Sequence, residues 1–189
     1  MAEHLWKVLR EGRYNGDIVQ TLRNVVAAFA LAVAGGFAVG SVLHAWPRAR
    51  RAVDPFLATY YAIPFFAFYP LLVVIFGLNA APVILIGFLF GVVAMIINTM
   101  NGLDRIPPVL IKTARVNGLG PLRTAWQVKL PSAAPQLFTG VKLAIAYCFI
   151  GVIAAEFIMS TSGLGYSIAY AFNNFDNRSM YALMLFIIT

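Results

Sequence analysis

Few side chains in this sequence have the type and position to do chemistry. Glu156 is the one acid inside an apolar stretch, and Gly163-Leu164-Gly165 follows it. A carboxylate there is costly, so it marks a solute pathway, an ion pair or a structural hydrogen bond. Asn98 and Asn101 stand at the end of another apolar run, ahead of Gly102, where amides bond backbone near a gate or simply end a helix. Cys148 lies in an apolar run and reads as a small buried hydrophobe, while His4 and His44 have no partner at ligand spacing. No metal site and no disulfide framework follow from that set. A nucleophile with a base, a Walker A loop and a His-Glu-x-x-His sequence are also missing. The longest polar run is 112–131, KTARVNGLGPLRTAWQVKLP, with Arg105 just upstream.

That run lies between two apolar segments, and a long loop with helical signals of its own is usually functional. Its punctuation predicts a small-residue helix around 109–117, a break at Gly118, and a second amphipathic stretch. Pro121 suits the first position of that second helix, and Leu122, Trp126 and Val128 supply an apolar face. Leu130-Pro131 should stop it before the next span. Lys112 and Arg115 can pair with acids, while Ala114 and Gly118 permit close approach. A solvated basic loop would explain the charge but not this ordered Gly, Trp and Pro spacing. The reading is a pair of short helices that a soluble partner can grip.

Composition sets the frame for these residues. Hydrophobic residues make up 61% of the chain and charged residues 11%, with mean hydropathy +0.81. A soluble domain carries about 25% charged residues, so this stock cannot cover a water-facing surface. The fold class expected is all-α, a polytopic membrane helical bundle. A net charge of +7 reads as membrane orientation and not as nucleic-acid binding, because the basic residues lie between spans. A crossing needs about 20 apolar residues, and 25–46, 56–78, 81–100 and 137–159 qualify. A fifth begins near Met180 and is cut short at Thr189. The division expected is a polar or interfacial segment, 1–24, and a transmembrane domain, 25–189, with the cytoplasmic loop 101–136.

Arg48, Arg50 and Arg51 and the basic loop 101–136 belong on the cytoplasmic side by the positive-inside rule. The uncharged linker 77–80 and the weakly charged 160–179 then lie outside. Residues 1–24 also fall outside despite Lys7, Arg10, Arg13 and Arg23, which an additional preceding span would explain. Ala28, Ala32, Gly36 and Gly40, four residues apart, form a packing face. Pro64 and Pro70 should each bend the second span.

The 112–131 run resembles the conserved cytoplasmic loop of bacterial ABC importer permeases: Glu-Ala-Ala, three residues, Gly, nine residues, Ile-x-Leu-Pro. Lys112-Thr113-Ala114 fall on the triplet, Gly118 on the glycine, and Val128-x-Leu130-Pro131 on the end. Lys112 replaces the family's leading acid, so the salt bridge that acid makes does not carry over. Glu156 with Gly163-Leu164-Gly165 matches the nitrate, sulfonate and taurine-type branch. The resemblance implies the MetI-like fold of methionine- and molybdate-type importers, and a permease dimer in the bacterial inner membrane. It also implies partner ATPase subunits that bind the ATP, and an extracytoplasmic solute-binding protein. The chain would bind no cofactor and catalyse nothing itself. Its solute would be small: nitrate, sulfonate, taurine, bicarbonate or a vitamin precursor. Glu156 then supports the outer loop or, as the second reading, contacts substrate. The alternative class, an ion-coupled secondary transporter or channel, usually carries several intramembrane charges.

Overall fold

The computed structural model of the chain describes Gly12 and residues 14–188. Lys7, Arg10 and Arg13, part of the expected 1–24 segment, lie outside the described residues. All regular structure among the described residues is helical: α1 Asn15–Ala45, α2 Pro47–Thr59, α3 Tyr69–Phe76, α4 Ala80–Asp104 and α5 Pro108–Val116. Then come α6 Pro121–Thr124, α7 Leu130–Met159, α8 Leu164–Asn173 and α9 Asn177–Ile188. Among the described residues, three helices are long and apolar enough to cross a membrane: Asn15–Ala45, Ala80–Asp104 and the continuous Pro121–Ile158. A fourth crossing is available if Pro47–Ala62 and Phe65–Phe76 count as one broken span.

α1 shows why these sequences fold as membrane helices. It starts at Asn15, ten residues ahead of the apolar stretch read from the sequence. Thr21, Asn24, Ala28, Ala32, Gly36 and Gly40 are all buried, whereas Val26 and Val42 are 63% and 59% exposed. The polar start is therefore helical because its polar residues, three and four apart, share the face that packs inside. Large apolar side chains point outward and small or polar ones inward, the arrangement expected when lipid replaces water.

The chain forms two compact units. One combines the described residues up to Ala30 with Pro64–Phe90 and the residues from Tyr147 onward. One of its buried clusters is Leu164, Ile168, Ala171, Met180 and Leu183 from α8 and α9, with Ile18 and Ile153 packed against them. Here α1, α4 and α7 meet at Gly87, where an added Cβ would lie 2.6 Å from Val152 and 3.0 Å from Ala28. The other unit combines Leu31–Ile63 with Gly91–Ala146. Within it α1 packs on α4 through Gly36, where a Cβ would lie 2.6 Å from that of Met95.

Four expectations need correction. The second apolar stretch is not one bent helix but is interrupted at Ile63-Pro64. Pro70 sits in the first turn of α3, where its missing N–H removes no helical bond and bends nothing. α4 continues past Gly102 to Asp104, so Asn98 and Asn101 do not end it. Gly102 instead lets α7 approach, a Cβ there lying 3.2 Å from Ala133. Leu130-Pro131 does not stop the loop helix either. Residues Ala125–Lys129 widen into a π-turn that leads directly into α7. A π-turn rearranges the hydrogen-bond ladder where a proline could not have joined it. The final helix also begins at Asn177, three residues before Met180.

The packing account is testable. Gly36→Leu should destabilise by about 1–3 kcal/mol through overpacking. Gly16→Ala, with nothing within 4 Å, should change stability by less than about 0.5 kcal/mol. Thermal unfolding in detergent separates them, and equal effects would contradict the assigned face.

Candidate functional site

Glu156 lies near the end of α7 and is fully buried. Its Oε2 accepts from the Thr21 hydroxyl at 2.6 Å and from the Gly165 N–H at 3.2 Å. Its Oε1 accepts from the Asn24 amide at 3.0 Å. Thr21 in turn accepts the Leu164 N–H at 2.8 Å. Asp17 accepts the Gly163 N–H at 3.0 Å and the Ser167 hydroxyl at 2.5 Å. The first N–H groups of a helix have no carbonyl partner within it. Those at the start of α8 therefore go to Asp17, Thr21 and Glu156. Negative side chains are also favoured at that end by the helix dipole.

The glycines make this contact possible. Gly163 has φ 104°, a conformation that L side chains rarely adopt, and a Cβ on it would collide with the Glu156 carboxyl group. A Cβ on Gly165 would collide with the Ile153 carbonyl oxygen and the Glu156 side chain. The sequence therefore paired Glu156 correctly with Gly163 and Gly165. It missed Asp17, Thr21 and Asn24, although their spacing continues into the small-residue face of α1. Asn98 belongs to the other unit, where its amide donates to its own helix at Ala94 O, 2.8 Å away.

The 112–131 run forms α5, a tight turn, α6 and the π-turn. Gly118 has φ 65°, and Leu119 N–H bonds Ala114 O while Gly118 N–H bonds Arg115 O, both at 3.0 Å. This is a Schellman C-cap, whose C′ position needs a left-handed residue. Nothing lies within 4 Å of a Cβ at Gly118. Its glycine thus serves the turn, not close packing, while Ala114 is the buried small residue. Pro121 opens α6 as expected. Lys112, Thr113 and Arg115 are exposed, as are Leu122 and Trp126 at 71% and 67%. Val128 and Leu130 are half-buried. A second cluster escaped sequence reading. Arg50 Nη1 lies 2.9 and 2.8 Å from the two oxygens of Asp104, and His44 Nδ1 lies 3.0 Å from one of them. This ties the end of α4 to α1 and α2 just before the loop helices begin.

Residues 32–189 match the family described as binding-protein-dependent transport system inner membrane component. The chain belongs to this family. It is an ABC importer permease subunit, a membrane transport component, and not an ion-coupled transporter or channel. A probable ABC transporter permease of Brucella melitensis is 30% identical over 185 residues, covering 98% of this chain and 75% of that protein. The nitrate import permease of Leptolyngbya laminosa is 26% identical, over 99% of this chain and 70% of that one. The taurine transport permease of Escherichia coli is 31% identical, over 82% and 56%. A chain of the MetNI methionine ABC transporter, solved in inward-facing conformations, superposes with a TM-score of 0.75 at 22% identity. That superposition covers 93% of this chain and 88% of the other. The MetI-like fold expected from the sequence is therefore the one observed.

For this permease the buried network predicts graded losses. Glu156→Ala leaves the Thr21, Asn24 and Gly165 donors without their acceptor and should cost about 3 kcal/mol. Glu156→Gln should cost about 1 kcal/mol, because a flip of the Asn24 amide lets its oxygen accept from the new amide. Unfolding midpoints in detergent check the order, and a neutral Glu156→Ala would refute it.

Proposed function

We propose that this permease carries a small polar solute across the inner membrane after delivery by an extracytoplasmic binding protein. Movement is driven by ATPase subunits docked on the helices 108–130. ATP belongs to those partners, and a second permease copy completes the pathway. The observation that carries this reading is the exposed face of the loop helices. Lys112, Arg115, Leu122 and Trp126 present two cations and two large apolar side chains on helices fixed by the Gly118 turn. Lys112 stands where the resembling loops have an acid, so the docking ATPase is expected to offer an acid or a neutral surface to it. Relatives named for nitrate and taurine support a small solute. Glu156 acts in this reading as support for the outer loop, since full burial leaves it no surface with which to touch a solute.

The test exploits the turn. Gly118→Val forces a β-branched residue into the left-handed region, at about 1–2 kcal/mol, whereas Asn tolerates that region. Copurification of the ATPase should fall sharply with Gly118→Val and survive with Gly118→Asn, both proteins reaching the membrane. Equal copurification of the two variants would contradict docking at this turn. A further variant, Lys112→Glu, should weaken stimulation of ATP hydrolysis by the binding protein. Improved stimulation would show that the partner surface is built for an acid.

A further inference from the structure

Within the unit that combines Leu31–Ile63 with Gly91–Ala146, the ends of α1 and α4 and the π-turn border a cavity of about 360 Å³. That volume is in the range of ligand pockets. Phe37, Leu103, Trp126 and Leu130 give it an apolar wall, and its ionisable lining residues are His44 and Lys129. His44 is already engaged, since its Nδ1 meets Asp104, which Arg50 also holds. Asp54 on α2 is likewise taken up by Arg50. Lys129 is exposed and has no acid partner among the described residues.

Position decides what can fill this cavity. α1 gives way to α2 at Trp46, which is 62% exposed, and exposed tryptophans favour the headgroup level of a bilayer. Trp126 marks the same level on the π-turn, and its large exposure leaves surface for the docking partner as well. From there the cavity runs inward along α1 to Phe37, about 12 Å before Ala45 at 1.5 Å per residue. Half of a hydrocarbon core is about 15 Å, so the inner end lies among acyl chains, beyond the reach of a soluble protein. The outer end is positive. Lys129 is joined on that side by Arg48 and Arg51, both exposed on the first turns of α2. The positive-inside rule puts these residues in the cytoplasm, whose leaflet carries anionic lipid. A lysine suits that boundary, because its apolar stem lies along the wall while its ammonium stays at the surface.

We propose that this cavity is a site for one anionic phospholipid of the cytoplasmic leaflet. An acyl chain fills the apolar part, and the phosphate takes Lys129. The lipid then packs against the π-turn, which joins the loop helices to α7, and turns of this kind recur at functional sites. A zwitterionic lipid offers the same chain but carries a cation beside its phosphate, so it gains less from Lys129. The proposal goes beyond the import reading and holds whichever solute is carried.

The assembled transporter, in nanodiscs of phosphatidylcholine with a rising fraction of phosphatidylglycerol, provides the test. Lipid retained after transfer to detergent is counted by native mass spectrometry. Phosphatidylglycerol should be retained in preference to phosphatidylcholine. Lys129→Gln should cut that preference about fivefold, the worth of one lysine at an anionic surface, and leave phosphatidylcholine retention unchanged. Ser41 also lines the cavity, and Ser41→Phe should fill it and lower retention of both lipids. Lys129→Gln alone decides the matter if that variant misfolds. Free sodium phosphate should not displace the lipid, because it has no chain to bury. An unchanged preference in Lys129→Gln, unchanged retention in folded Ser41→Phe, or displacement by free phosphate would each overturn the site. So would the absence of retained phosphatidylglycerol from the unmodified transporter, which would mean that the docked ATPase covers the cavity instead.

Discussion

A helix that begins inside an apolar protein must find partners for its first N–H groups, because no water is there to take them. In this permease α8 meets that demand with oxygens drawn from two other helices. Asp17 and Thr21 come from α1, and Glu156 comes from α7. Each oxygen belongs to a side chain that would itself be costly to bury alone. Donors and acceptors therefore stabilise one another's burial, and neither set is tolerable without the other. The two glycines follow from the same demand, since the carboxyl group can reach the helix start only where no Cβ stands between.

The rest of this unit is arranged around that contact. α1 keeps its polar start on the buried face, and the same face then continues as the small residues that let α4 and α7 approach. Large apolar side chains are left to the outside, which explains a chain with little charge and a helix whose polar residues are the hidden ones. Within the other unit, small residues again set the helix separations, and Asp104 collects Arg50 and His44 at the end of α4. The exposed loop helices follow directly, held by a turn that depends on backbone conformation rather than on packing.

The features legible in the sequence were those carried by residue type at fixed spacing. Gly118 and Pro121 punctuate the loop where they were expected to, and the small-residue face of α1 is buried as its spacing predicts. Glu156 and the Gly-Leu-Gly sequence are brought together. What escaped reading depended on context. Hydropathy placed the start of α1 outside the span because Asp17, Thr21 and Asn24 are polar, yet their partners lie more than 130 residues away. Pro131 looked like a stop because a proline breaks a regular α-helix, whereas the preceding π-turn accommodates it. Pro64 and Pro70 looked equivalent, but one precedes a 3-10 turn and the other opens a helix. Such outcomes depend on which hydrogen bonds the neighbours supply, and local spacing does not contain that information.

The central claim is that the start of α8 is held by buried side-chain oxygens rather than by solvent or by its own turn. Amide hydrogen exchange along 160–167 in the intact permease measures this directly. The account predicts that the Leu164 and Gly165 amides exchange far more slowly than that of Thr161, whose side of the loop is exposed. Protection should fall at Leu164 and Gly165 together when Thr21 is replaced by Val. Exchange at Leu164 and Gly165 as fast as at Thr161 in the unmodified protein would contradict the account.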